Sequence, residues 1–356
     1  YQTGLYNTAL GNLALFGLSG SSNASYNTAV GYKAGNDIRS GASNTIIGTF
    51  AGQALVTGAN NVLVGKEAGN QLISNTNNVA IGFNSMLAAS ANEGTAVGMY
   101  TLRVNTGMNN TAMGYAAAFS NTTGINNTFL GYRAGQLKTT GYYCTYVGSY
   151  AGYTAGAAAN YNTAVGAESL RLSTTGAANT AVGVNTLYNV LTANNNTVIG
   201  LNAGYNVTTG HNNLLLGANA GRSTANGGQN AGVTTASNQI HLGNGTQTAF
   251  LCKIALTVTS DKRDKTNFKK IPLGLDFVNQ LKPTSFEFKK GRELNESDGI
   301  ERYGFFAQDI LELEGEKPVI INNDDDENLK YTSDNLIPVL VKAIQELKAE
   351  IEILKN

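Results

Sequence analysis

The feature that most constrains this chain is a repeat of about seventeen residues built on Asn-Thr-Ala-Val-Gly, as at Asn27 to Gly31 and Asn162 to Gly166. It closes on glycine 14 times between Gly11 and Gly243, and from Gly31 to Gly217 there are 186 residues in 11 steps. The residue before each glycine is apolar in all 14 cases, and Asn stands four before it in 11, with Gly94, Cys144 and Gln239 as exceptions. Three residues after the glycine comes Ala, Ser or Thr through the Gly217 repeat, followed in seven cases by a second Gly, as at Ala34-Gly35. A period this short suits no helix–turn–helix unit. It implies one coil of a β-solenoid per repeat. The expectation is two short strands per coil, joined by turns in which glycine supplies φ > 0. Side chains alternate along a strand, so Thr and Val share one face and Asn, Ala and Gly the other. The Thr/Val face is expected inside the coil and the small-residue face against another backbone at a trimer axis. The Asn side chains are expected to stack as a ladder. Thirteen steps of about 4.8 Å give a rod roughly 60 Å long.

Composition marks where this pattern stops. Residues 1–259 hold nine Lys/Arg and four Asp/Glu, and residues 260–356 hold 15 and 20. All four prolines follow the break and 37 of the 42 glycines precede it. Proline would remove a ladder hydrogen bond, so its absence from the repeats is consistent with strands. The boundaries read as 1–221 for the repeat shaft, 222–259 for a connecting β segment and 260–356 for a terminal domain with a helix over 334–355. Within 222–259, residues 239–259 read as a final pair of strands. No run of 18 apolar residues is present, so no membrane insertion is expected. With neither Met nor a signal-like stretch at Tyr1, the chain reads as part of a longer polypeptide. Cys144 and Cys252 have no metal-ligand spacing and read as small buried hydrophobes.

The terminal domain opens with Ser260-Asp261-Lys262-Arg263-Asp264-Lys265, followed by Asn267 and Ile271. Leu275-Asp276 through Leu281-Lys282-Pro283, Phe286-Glu287-Phe288-Lys289, Gly304-Phe305-Phe306-Ala307-Gln308 and the stretch from Tyr331 to Lys348 follow in order. This series resembles the endosialidase-type self-cleaving intramolecular chaperone that ends trimeric phage tail spikes and fibres. The repeats in turn resemble the heads of trimeric autotransporter adhesins and repeats of phage fibres. The first resemblance implies a domain that drives trimerisation and then cuts the chain between Thr259 and Ser260, or stays on as the tip. It implies Ser260 as nucleophile and Lys265 as its base, with Asp261 and Arg263 in support. A serine hydroxyl needs a neighbour to take its proton, and burial or nearby cations suit a lysine to that task. Lys262 and Arg263 are candidates for the cations. Asp264 stands where that family usually has an apolar residue, and a carboxylate beside a lysine favours the charged form.

The terminal helix carries Ile337, Leu340, Ile344, Leu347, Ile351 and Leu354 at 3-4-3-4-3 spacing, an a/d seam, with Asp334 placed to cap its start and Pro338 in the first turn. Three heptads alone are marginal, so the helix is also expected to pack on its own domain. The fold class is therefore mainly β: a homotrimeric β-solenoid or β-roll shaft, then a small mixed α/β chaperone domain ending in a coiled-coil-like helix. Residues 1–259 offer only Asp37, Glu67, Glu93 and Glu168, at least 26 residues apart, against the paired carboxylates of a glycosidase. No cofactor or metal is implied. Asp324-Asp325-Asp326-Glu327 lacks calcium-loop spacing, and Gly227-Gly228 follows no Rossmann strand. A near-neutral charge balance argues against nucleic acid. The partners expected are further copies of the chain and a cell-surface glycan or protein, with Tyr32, Tyr115, Tyr132 and Arg133 as weak receptor-binding candidates. The setting would be a virion tail fibre or a bacterial surface. An adhesin of the same architecture, or an assembly chaperone-protease with no receptor role, are the other readings.

Overall fold

The computed structural model describes residues 4–17, 23–154, 156, 159–222, 233–244, 247, 251, 253, 259–290, 294–324, 326 and 329–355. Cys252, Gly227-Gly228, Asp325 and Glu327 lie outside them, as does most of the stretch read as a last strand beyond residue 244. The described residues divide into two compact units, one holding those up to Asn244 and one those beyond it.

The first unit is a β-solenoid. Fourteen three-residue strands, from Thr8–Leu10 to Ile240–Leu242, pair in sequence order as one parallel sheet. Successive motifs lie in register, with Thr28 beside Thr45, Ala29 beside Ile46 and Val30 beside Ile47. Each coil carries one such strand among the described residues, where two were expected. The reason is the turn backbone. In one coil Asn126, Arg133 and Gly135 all have φ near +56°, and Gly131 has φ 134°, values that no extended strand accommodates.

The faces are the reverse of the expectation. From Ala29 to Leu215 the middle strand residue is buried, while the flanking Thr and Val are half-exposed or exposed. The asparagines also point inward, and hydrogen bonding explains why. Asn44 donates its amide to Asn27 Oδ1 (2.9 Å) and to the Gly58 carbonyl (2.9 Å), and its backbone N–H to the same Asn27 oxygen (3.0 Å). Asn61 repeats the pattern on Asn44 and Asn75. Turn carbonyls aimed into the coil can satisfy these amides only there. Thr and Val, one residue to either side, must then point out.

A narrow interior also limits the volume of most rungs. Where the strand offers a large core side chain, the residue six further on is glycine: Leu63 with Gly69, Phe129 with Gly135, Tyr146 with Gly152, Leu215 with Gly221. In four coils where the strand offers alanine, that position is large: Ala80 with Met86, Ala96 with Leu102, Ala164 with Leu170, Ala181 with Leu187; Ala29 with Gly35 and Ala112 with Ala118 depart from the pattern. A Cβ at Gly135 would collide with the Phe129 ring.

Lys138 follows the same logic for polarity. It is fully buried at a position that Leu55 and Leu72 fill elsewhere. In its coil Cys144 replaces the ladder asparagine and cannot supply the amide that a turn carbonyl requires. Lys138 Nζ donates to that carbonyl, Ala159 O, at 2.6 Å, and the Cys144 thiol lies 3.1 Å from the same oxygen. Burial lowers the proton affinity of Lys138, with the nearby thiol opposing the shift.

The second unit holds helix α1 (Leu275–Gln280), helix α2 (Ala307–Glu314), helix α3 (Leu336–Lys355) and two small antiparallel pairs, Thr284–Phe286 with Arg302–Gly304 and Ile321–Asn322 with Lys330–Tyr331. Phe277, Ile310, Ile320, Ile321, Leu336 and Val339 form its core. The Glu314 carboxylate accepts the N–H groups of Val319, Ile320 and Ile321 at 2.7–2.9 Å, tying the chain after α2 to the helix end. Asp334 lies in a 3-10 turn, Ser333–Asn335, that leads into α3, and Pro338 falls in the helix's first turn. The helix does pack on its own unit, but through Leu336, Val339 and Ala343. All six residues of the a/d seam are exposed.

The start of α1 depends on α3. Gly274 offers no capping side chain, and Glu346 Oε2 accepts the Leu275 N–H at 2.7 Å. A Cβ on Gly274 would strike that carboxylate. Lys342 Nζ holds the other oxygen at 3.1 Å. The Leu275 N–H, then Lys342, hold the Glu346 carboxyl below its ordinary value.

Two outcomes are expected. Phe129→Ala should cost about 3–5 kcal/mol, and adding Gly135→Leu should recover part of it, because other coils pack this way; urea denaturation of the three variants measures the coupling. Glu346 is the depressed-carboxylate case. Its contribution is present above the unfolded value of about 4.3 and is lost as pH falls through the folded value. The melting temperature of the second unit should therefore fall on acidification below about pH 4, and Glu346→Gln should flatten that dependence.

Candidate functional site

The site begins at the first residues of the second unit. Asp261 caps a 3-10 turn over Lys262–Asp264, accepting the Arg263 N–H at 2.8 Å. The Lys265 N–H closes the turn on the Lys262 carbonyl at 3.2 Å. This tight turn brings position 265 back over position 260, and Lys265 Nζ donates to Ser260 Oγ at 2.5 Å. A hydroxyl and an amine stand within proton-transfer reach.

The supporting charges are arranged differently from the expectation. Arg263 grips Asp261 in a fork, with guanidinium nitrogens 2.6 and 3.1 Å from the carboxylate oxygens. Side-chain and then backbone bonds from Arg263 lower the Asp261 carboxyl, and the carboxylate raises the Arg263 guanidinium. Arg263 thus spends its charge on Asp261 instead of presenting it to Lys265. Lys262 lies 5.7 Å from the centre of the Phe268 ring. Residues 259–265 are all exposed on the single chain, so the chain by itself supplies no dry surroundings for the pair.

The receptor-binding candidates lie elsewhere, on the solenoid turns. Tyr115 and Tyr132 stack at 5.4 Å with their rings 15° apart, and the Arg133 guanidinium sits 5.2 Å from the Tyr132 ring and 5.9 Å from Tyr115. Tyr32 is apart from these three, packed edge-on against Phe50 at 5.3 Å. The ring faces are largely used by other rings, which leaves edges, hydroxyls and guanidinium groups for solvent.

The cluster extends further than the sequence reading went. Tyr150 meets Tyr132 at 5.3 Å, and Arg171 lies 5.0 Å from Tyr150 and 5.6 Å from Tyr188. Tyr188 stacks on Tyr205 at 5.0 Å, and Arg222 covers Tyr205 at 4.9 Å. The result is a continuous cation–aromatic strip. Its signal was present in the sequence, because the fifth residue after the closing glycine is aromatic or Arg at Arg103, Phe119, Tyr153, Arg171, Tyr188, Tyr205 and Arg222.

Residues 260–317 match the sequence family described as chaperone of endosialidase. The segment that opens on the Ser260–Lys265 turn is thus an endosialidase-type chaperone domain, and this chain joins it to a β-solenoid of seventeen-residue coils. The match ends at Lys317, so the likeness read between Tyr331 and Lys348 lies beyond it. No curated protein and no solved structure matches the chain. No helix among the described residues is long and apolar enough to cross a membrane.

Proposed function

We propose that the chain forms a homotrimeric attachment fibre of the phage tail-fibre type, with a solenoid shaft that meets a cell-surface receptor and a C-terminal domain that directs trimer assembly. The observation that carries this reading is the chaperone match over residues 260–317 in a chain whose preceding residues form a repetitive shaft. The free a/d seam of α3 supports it, since six large aliphatic side chains on one helix stripe are costly to leave in water.

We further propose that the domain cuts the chain between Thr259 and Ser260. Ser260 Oγ attacks the Thr259 carbonyl carbon and closes a five-membered ring while Lys265 takes the hydroxyl proton. The peptide nitrogen then leaves with a proton, and water hydrolyses the resulting ester. The 2.5 Å Lys265–Ser260 contact supports this assignment. A lysine serves as base in dry or cationic surroundings, and both residues are exposed on the single chain. Burial would have to come from neighbouring copies, which makes cleavage follow assembly. A denaturing gel of freshly expressed protein tests the step. The wild type should give fragments 1–259 and 260–356, while Ser260→Ala and Lys265→Ala should each give one full-length band with the trimer intact. A full-length band from assembled wild type would mean that the domain is retained as the tip.

The receptor surface proposed is the cation–aromatic strip around Arg133 and Arg171. Its phenol hydroxyls and guanidinium groups can donate to the hydroxyl and acidic groups of a glycan. Purified trimer should bind host cells or a glycan array, and Arg133→Ala or Arg171→Ala should each weaken binding by about tenfold, roughly the loss of one charge-assisted hydrogen bond. A trimer that binds no cell or glycan, with or without these arginines, would leave only the assembly role.

A further inference from the structure

The inward asparagines leave the solenoid with an outward sheet face of unusual chemistry. Fourteen strands each present two side chains there. The first column is threonine in ten strands and Val62, Val79, Leu214 and Ile240 in the others; the second is aliphatic in all fourteen. No charged residue falls on any of these strands; every charged residue described in the solenoid lies in a turn. Several of the aliphatic side chains are well exposed, including Ile47, Ile81, Met113 and Ile199. The face runs about 60 Å along the sheet. Monomeric proteins rarely expose so long a continuous apolar patch.

We infer that this sheet face is the seam along which copies of the chain pack, rung on rung, in the trimer. The inference rests on the proposed trimer and names the surface that forms it. It replaces the small-residue face, which is occupied inside the coil. Three observations favour another copy as the occupant. A second solenoid shares the same strand spacing, so its two columns can interdigitate along the whole length; a partner of another fold would match only locally. Twenty-eight half-exposed side chains at roughly 30 Å² each would bury on the order of 800 Å² per copy, the size of a standard stable interface. Val, Ile and Thr are stiff at χ1, so ordering them costs little entropy. The turn surface that carries the cation–aromatic strip is unsuited to the same role. Under three-fold symmetry Arg133, Arg171 and Arg222 would face their own copies, which is repulsive.

Nitroxide labels on the full chain with Ser260→Ala and Cys252→Ser test the seam; Cys144 is buried and does not label. Label at Thr163→Cys, on the sheet face, should give shorter distances between copies than label at Leu191→Cys, in the turns. Val165→Lys with Val182→Lys should lower the temperature at which the trimer dissociates, while the β circular dichroism at room temperature is retained. A trimer in which the Thr163 label is as far apart as the Leu191 label, or in which the double-lysine variant dissociates at the wild-type temperature, overturns the seam and spares the trimer. A monomeric wild type by light scattering overturns both.

Discussion

The solenoid depends on one interaction, the buried asparagine ladder. A side-chain amide has two donors and an oxygen that accepts twice, and each rung of the ladder spends them on the neighbouring asparagine and on a turn carbonyl of the next coil. Leaving a buried amide group unpaired costs about 1–3 kcal/mol, so coils that drift out of register are penalised at every rung. The ladder also decides which face is inside, and through the alternation of the strand it expels Thr and Val to the surface. At the longest departure from the period the extra residues lie between the strands, and the backbone half of the ladder contact is kept. Asn213 still accepts the Gln239 N–H at 2.9 Å across 26 residues.

The ladder also explains why the architecture was legible in the sequence and the orientation was not. The glycine-closed period specifies a parallel solenoid because nothing else repeats at seventeen residues with strand-forming triplets. Ranking faces by apolarity then favours Val over Ala and Asn as the interior, and this points the wrong way. Accounting for hydrogen bonds instead would have put Asn27, Asn44 and Asn61 inside, since only there does an amide find the turn carbonyl. The pairing of Phe129 with Gly135 and of Ala164 with Leu170 is visible only when positions six apart are read together. Lys138 looks like a surface lysine until the missing asparagine at Cys144, six residues on, explains what it replaces.

At the terminal domain the balance is different. Spacing alone makes Ser260 and Lys265 an ordinary polar turn, and the likeness to a known family singled them out. The turn geometry supplies what neither gives: Asp261 caps the turn and holds Arg263, so the cation nearest in sequence is already paired. The exposure of the pair could not be read from sequence, because burial here depends on what surrounds the chain. On the shaft, Tyr115 and Tyr132 stand directly after the closing glycines as exposed aromatics of the turns. Tyr188, Tyr205 and Arg222 were missed because they occupy a second column.

The proposed seam would also explain why a fibre of the proposed kind needs a domain that does not repeat. On the proposed sheet face every rung offers Thr or an aliphatic beside an aliphatic, so two copies displaced by one coil meet nearly the same chemistry as two copies in step. Such a surface specifies attraction but hardly specifies register, the weakness expected of uniform strands that carry no distinguishing residue. The second unit has the opposite character. Its α1, α2 and α3 differ in length and sequence, its core residues follow no repeat, and its charges are dense, some of them in specific pairs such as Lys342–Glu346 and Arg302–Asp298. In the proposed trimer, a non-repeating surface of this kind would offer copies of the unit no equivalent displaced arrangement. If they associate first, the shafts start in step, and zipping along the sheet face extends the alignment without having to choose it. Once the shafts are aligned, each one-coil slip would have to break the whole length of the seam at once. The register of the proposed trimer would then persist kinetically without the domain, which is the condition under which the proposed cleavage at Ser260 would cost the fibre nothing.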